Sequence, residues 1–233
     1  MSLKSIAKKI LVNPEKDKQN ARFIYKKNVD ESLKMLQATT EALDAYGIPY
    51  YLDFGTLIGA MRDGAFIPWD DDVDISLLNH EDAPKAVKAL RILKQKDKLK
   101  IQRVSFARSI YNRLKAARKN KELEVPTKEI SFADPTDLRV LKVKNYRKIL
   151  HKRYTGINNI DIFIKYPKDG KLYWMAQHKV HSIDASLLDG GLIEIDFYHL
   201  KCKIPKNYDE YLTAIYGDWK TPKEDWQYYE QDD

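Results

Sequence analysis

Four carboxylates within five residues, Asp70, Asp71, Asp72 and Asp74, run directly into the apolar positions Val73 and Ile75. Such crowding costs folding free energy through mutual repulsion unless a cation or a special environment compensates it. In an extended strand alternate side chains share a face, so Asp72 and Asp74 project together while Val73 and Ile75 enter a core. Two carboxylates a few ångströms apart on one face suit a hard divalent cation such as Mg²⁺, with Mn²⁺ as the alternative. Such an ion bridges phosphate oxygens and offsets the charge that develops in phosphoryl transfer. Upstream, the Gly55-Thr56 turn stands at the mouth of a helix expected over Thr56 to Arg62, and it offers backbone N–H groups and a hydroxyl to a phosphate. An isolated Asp-x-Asp pair is more often a solvated loop than a metal site, so context has to decide.

The context is a strand, a Gly-Thr turn, a helix and an acidic strand, in the order that a metal-dependent nucleotidyltransferase fold requires. The run GTLIGAMRDGAFIPWDDDVDI, Gly55 to Ile75, also resembles the signature of the LicD, fukutin and fukutin-related group of phosphotransferases. Two further segments resemble parts of that family. Asn159-Ile160-Asp161-Ile162-Phe163 is similar to its second acidic strand, and Ile204-Pro205 through Tyr216-Gly217-Asp218-Trp219 to its C-terminal helix and Tyr-Gly-Asp tail. The chain departs from the family at Ile164-Lys165, where many relatives have a proline and a small or acidic pair; the segment from Leu78 to Tyr154 shows no match.

The resemblance implies an α+β fold: a nucleotidyltransferase-like mixed sheet flanked by helices, with a basic insertion and a β-rich and helical C-terminal elaboration. It implies Asp72, Asp74 and Asp161 as the catalytic and metal-binding carboxylates, Asp161 also standing where a general base would take the proton of an acceptor hydroxyl. The plainer reading of Asp161 alone is an edge-strand residue in water. Arg62 can neutralise donor phosphates with bidentate geometry, or only pair with Asp63 or Asp70. Trp69 can stack on a base or face a quaternary ammonium, or pin the loop after Pro68 as a core residue. With Gly55 and Thr56, these two complete the expected substrate-binding set. The histidines show no zinc spacing.

The elements that position these residues are legible in part. Tyr25, Val29, Leu33, Leu36, Thr40 and Leu43 predict a helix over Arg22 to Tyr46, ended by Gly47. Ile48 to Asp53 reads as a strand. Asp82 is the expected N-cap of a helix through Gln95, and Lys98 to Phe106 a strand with which Ser109 to Lys115 pairs. KNKELEVPTKE reads as an exposed loop and NYRKILHKRY as a basic helix. Hairpins are expected over residues 171–204, broken at Asp189-Gly190-Gly191, and Asn207 with Glu210 resembles a capping box. The expected division is a basic N-terminal segment, 1–20, and one catalytic domain, 21–233. The latter holds a core motif (48–77), a basic variable segment (85–153), the second acidic strand (158–164) and a C-terminal helix and tail (204–222).

At 233 residues, 43% of them hydrophobic, the chain can bury a proper core. The one cysteine, Cys202, excludes an intramolecular disulfide framework and fits a reducing compartment and a strand position. No apolar run reaches the roughly 18 residues of a spanning helix, and Ile10-Leu11-Val12 is too short for a signal-peptide core. The expected location is cytoplasmic, with peripheral contact at the inner face of the membrane through an N-terminal amphipathic helix, against a plain solvated terminus. The net charge of +7 hides an asymmetry: residues 85–153 hold 22 Lys plus Arg against 6 Asp plus Glu. That division suits an enzyme that gathers Mg²⁺ at one place and steers an anion to another. Lys outnumbers Arg by 31 to 10, and no aromatic platforms interleave the basic tract, which disfavours nucleic acid.

Three functions fit. A CDP-linked donor, by resemblance CDP-choline, gives its phosphorylated alcohol to a hydroxyl of a glycan or lipid-linked glycan and releases CMP; ribitol and glycerol phosphate are the alternative cargoes. Alternatively, a hydroxyl attacks the α-phosphorus of a nucleoside triphosphate. Least favoured is a binding module whose acidic loop holds Ca²⁺.

Overall fold

In the computed structural model, residues 22–117, 130–149, 152–176 and 179–224 are described, and the fold is that of those residues. The N-terminal segment 1–20, the KNKELEVPTKE loop, His151 and His178 lie outside them. Helix α1, Lys26–Asp44, buries Leu33, Leu36, Thr40 and Leu43, the face that the sequence rhythm predicts, while Tyr25 is an exposed N-cap. Gly47, at φ +60°, reverses the chain so that the Ile48 N–H closes on the Leu43 carbonyl at 3.0 Å. Strand β1, Tyr50–Leu52, follows, wholly buried.

Helix α2, Phe54–Ile58, begins one residue after β1 and two before the expected start. It continues into a wide π-turn, Gly59–Asp63, that ends at Gly64 in the left-handed region. Gly59 permits the turn: a Cβ there would lie 2.4 Å from the Ala65 carbonyl oxygen. Strand β2, Val73–Leu77, comes next.

The segment expected to be one helix to Gln95 is two, α3 (Ala83–Ala89) and α4 (Arg91–Lys96), hinged at the buried Leu90. Asp82 occupies the N-cap position but makes no cap bond, since its carboxylate accepts from the Asn79 amide instead. Strand β3, Lys100–Ser105, agrees with expectation; the strand expected over Ser109 to Lys115 is instead part of helix α5, Phe106–Ala117. Phe106 and Ser109 are buried three residues apart, a helical spacing that overrides the short alternation in between.

The basic helix expected at NYRKILHKRY is also replaced, by the distal ends of two long strands, β4 (Leu138–Ile149) and β5 (Lys152–Phe163). Tyr146, Ile149 and Tyr154 are spaced as on a helix face, but the antiparallel ladder runs through them, Tyr146 pairing with Thr155, Ile149 with Lys152 and Tyr154 with Arg147. Tertiary pairing outweighs local period here.

After β5 come β6 (Tyr166–Lys168), β7 (Lys171–Ala176) and β8 (Lys179–Asp184), an antiparallel sheet of their own. The hairpin β9 (Leu192–Phe197) and β10 (Leu200–Pro205) leads to helix α6, Tyr208–Tyr216, which buries Tyr211, Leu212 and Ile215. The hairpins and helix follow the expectation; the capping box does not form, and the Asn207 amide packs against Gly190 instead. Cys202 is buried in β10.

The main sheet has the order β1-β2-β5-β4-β3, with only β2 and β5 parallel. Helix α1 packs on β5 and α2 on β2. This is the mixed, helix-flanked α+β architecture expected. Val73, Ile75, Ile160 and Ile162 are all fully buried, so the core holds β2 and β5 in a fixed register. That register sets Asp74 directly beside Asp161.

Candidate functional site

Alternation along β2 and β5 turns their acidic side chains away from the isoleucines and towards a cleft of about 640 Å³. One carboxylate oxygen each from Asp72, Asp74 and Asp161 lies within 4.8 Å of the others, so the three residues named from sequence are brought together. The Asn159 amide donates to Asp72 Oδ2 at 3.3 Å and to Asp161 Oδ1 at 3.4 Å, tying the two elements. Hard oxygen donors at this spacing, with no nitrogen or sulfur among them, fit Mg²⁺ or Mn²⁺.

The electrostatics agree with that donor set. Burial, then the charges of Asp70 and Asp161, pushes Asp72 well above the usual carboxylate range. Asp74 is raised likewise by burial and then by Asp72 and Asp161. Asp70 is pushed up to about 6, first by burial and against the hydrogen bond it accepts from the Asp71 N–H. Such a cluster is short of positive charge.

Thr56 is buried, and its hydroxyl oxygen accepts from the Asp74 N–H at 2.9 Å, so it fixes the backbone of a residue of the acidic cluster. Gly55 lines the cleft where Asp70 closes over it: a Cβ would stand 2.5 Å from Asp70 Oδ2. Gly55→Ala is therefore expected to displace the acidic loop and to lower the activity proposed below about a hundredfold, with a minor change in unfolding midpoint; steady-state turnover beside a thermal melt checks it. Arg62 is held by Asp63 through bonds of 2.9 and 2.7 Å, and Trp69 is half-buried against the core; both line the cleft.

Strand β4 supplies cations that sequence reasoning did not single out. The Lys142 ammonium pairs with Asp161. Arg139 lines the cleft with its guanidinium anchored on Ser109 Oγ and on the Met175 carbonyl at 2.7 Å. The available signal was the alternation of Lys142 and Lys144 with the buried Leu141 and Val143. Behind the site, Asp53 and Lys165 form a buried ion pair with Tyr51, Ser76 and Tyr211.

Residues 47–124, a third of the chain, match the family model described as the LicD/FKTN/FKRP nucleotidyltransferase domain. Over those residues the chain is similar to that family's domain. An uncharacterised protein of Rickettsia typhi is 39% identical over 67 residues, 28% of this chain and 21% of its own length. The lipopolysaccharide cholinephosphotransferase LicD of Haemophilus influenzae is 54% identical over 38 residues, 16% of this chain and 14% of that protein. The human ribitol 5-phosphate transferase FKRP is 51% identical over 35 residues, 15% of this chain and 7% of that protein. The matches thus span at most about a fifth of these relatives. The LicD-family match includes Gly55, Arg62, Trp69 and Asp70 to Asp74; Asp161, Lys142 and Lys165 lie beyond it and join the site only through the fold.

Proposed function

We propose that the chain is a metal-dependent phosphotransferase. It would move a phosphorylated alcohol, phosphocholine from CDP-choline being the favoured cargo, onto a hydroxyl of a cell-surface glycan or its lipid-linked form. The observation that carries this reading is the convergence of Asp72, Asp74 and Asp161 from two strands at one cleft that also holds Arg62 and Arg139. These three aspartates would hold Mg²⁺ or Mn²⁺, which when bound offsets negative charge on the transferred group. Gly55 would let the Asp70 carboxylate pack close over the turn at the cleft wall, Arg62 and Arg139 would neutralise the donor's charges, and Trp69 would offer a face to the base or alcohol. Alternatively, with the ion on Asp72 and Asp74 alone, Asp161 would accept the proton of the acceptor hydroxyl. The acceptor oxygen bonds to the distal phosphorus, the bridging P–O bond breaks, and CMP leaves.

We further assign residues 21–233 to one catalytic domain working in the cytoplasm at the inner face of the membrane, where a lipid-linked acceptor would be met. Among the described residues no helix is long and apolar enough to cross a membrane. Choline phosphate and ribitol 5-phosphate are the cargoes in the names of two relatives, so the test must screen both. Purified protein with Mg²⁺ and CDP-choline, CDP-ribitol, CDP-glycerol or CTP is followed by thermal shift and nucleotide analysis. A midpoint raised by one CDP-alcohol, with CMP released on adding a glycan acceptor, supports the proposal. Pyrophosphate release from CTP would replace it with nucleotidyl transfer; no turnover together with tight Ca²⁺ binding would leave a binding module.

A further inference from the structure

The site already contains a cation of its own. Lys142 on β4 is the direct register partner of Asp161, and Asp161 on β5 is the direct partner of Asp74 on β2. Opposed residues share a face of the sheet, so Lys142, Asp161 and Asp74 form a row across three strands, with the positive charge at one end. The Lys142 ammonium pairs with Asp161 Oδ2, its side chain 23% exposed against 7% for the aspartate. Its side chain borders the open cleft. Arg139, three residues back, is tied to Ser109 and to the Met175 carbonyl, whereas Lys142 lines the cleft on a flexible four-carbon stem.

A divalent ion ligated by the three aspartates needs the carboxylate that Lys142 holds. An ammonium and a divalent cation on one carboxylate repel strongly in a half-buried site. A phosphate brought to that ion presents oxygens on the cleft side, where a displaced ammonium finds new acceptors.

We propose, on the metal-dependent reading above, that Lys142 is an exchangeable counter-ion: it neutralises Asp161 until the divalent ion binds, and then swings into the cleft to bind the donor's phosphate. Metal and donor are thereby coupled through one side chain. Lys142 opposes the ion arriving alone and favours the ion with a phosphate, so the site fills with both together.

The test uses Mn²⁺, followed by its electron paramagnetic resonance signal, and pyrophosphate, followed by calorimetry at saturating Mn²⁺. Lys142→Met is expected to bind Mn²⁺ about tenfold more tightly and pyrophosphate about tenfold more weakly, while Lys142→Arg stays near the wild type in both. Opposite signs are the signature; a side chain with a purely structural role would leave both unchanged or weaken both, and either result overturns the proposal. Lys142→Gln repeats the measurement should the methionine variant not fold. A wild type without saturable Mn²⁺ binding, or binding that Asp74→Asn leaves untouched, removes the metal reading and this proposal with it. Mn²⁺ binding that Asp74→Asn weakens and neither Lys142→Met nor Lys142→Gln tightens removes this proposal alone.

Discussion

Lys165→Met is expected to lower the unfolding free energy by about 3–5 kcal/mol, the usual cost of stranding one member of a buried ion pair. The side chains of Lys165 and Asp53 are 2% and 0% exposed. The ammonium donates to Tyr51 Oη at 3.0 Å, Ser76 Oγ at 2.9 Å and Tyr211 Oη at 2.8 Å, besides Asp53. It also lies 4.7 Å from the ring centre of Phe54 and 5.4 Å from that of Trp174. Methionine restores the volume and leaves the Asp53 carboxylate buried without its countercharge.

The damage would spread to the site. Asp53 Oδ1 accepts from the Phe54 N–H at 2.8 Å, and the Asp53 N–H donates to the Asp74 carbonyl at 3.0 Å. Phe54 is itself held at φ +46°, a conformation that costs about 1–3 kcal/mol and persists only while its surroundings enforce it. Urea unfolding of Lys165→Met, Asp53→Asn and the double variant checks the coupling: the double variant should lose less than the sum of the singles. Burial alone would depress the Lys165 pKa, but Asp53 and Tyr51 outweigh it and hold it above the ordinary 10.5. Because the folded value is the higher one, the stability contributed by the Lys165 charge is complete below about pH 10.5 and is lost as pH rises through the folded value. Wild type should therefore lose stability in that alkaline range more steeply than Lys165→Met.

Asp74→Asn should have the opposite profile, transfer falling about a thousandfold while metal-free stability stays level or rises. The proposed reaction loses a hard anionic ligand at the centre of the cluster, but the fold loses a charge that Asp72 and Asp161 repel. The raised values of Asp72 and Asp74 mean that the folded state holds protons the unfolded chain has released above about 3.8. Their contribution is thus complete below that value and is lost as pH rises through the raised ones. Melting in EDTA should show wild type less stable at pH 8 than at pH 5, with a flatter profile for Asp74→Asn. Mn²⁺ should restore wild type at pH 8 and not the variant. A large loss of stability in metal-free Asp74→Asn would show the carboxylate to be structural.

Asp72 and Asp74 were legible because a period of two between buried branched residues names both a strand and the face its polar residues share, whereas Asp161 came in through the family resemblance, since its own alternation fits an edge strand in water equally well. Lys142 was not, because its partner is chosen by the register of β4 on β5, 19 residues away, and local alternation cannot specify it. Lys165 was hidden differently: a single lysine after a strand reads as a solvated end unless Tyr51, Phe54, Trp174 and Tyr211 are known to surround it. Helix α5 and the β4–β5 ladder exchanged their expected types because each carries a short pattern of the wrong period, overruled by what it packs against. The mixed-sheet class followed from the family resemblance; the strand order and the placing of its cations did not.

The parallel pairing of β2 with β5 also has a consequence for synthesis. Asp74 and Asp161 stand side by side although 87 residues separate them, with β3, α5 and β4 made in between. A ribosome that has released the chain through β2 has produced the acidic loop but neither its third carboxylate nor Lys142. Non-local strands of this kind join late in folding. The nascent protein would therefore pass through an interval in which its most conspicuous sequence element is complete and inert, and competence would come in one step when β5 docks.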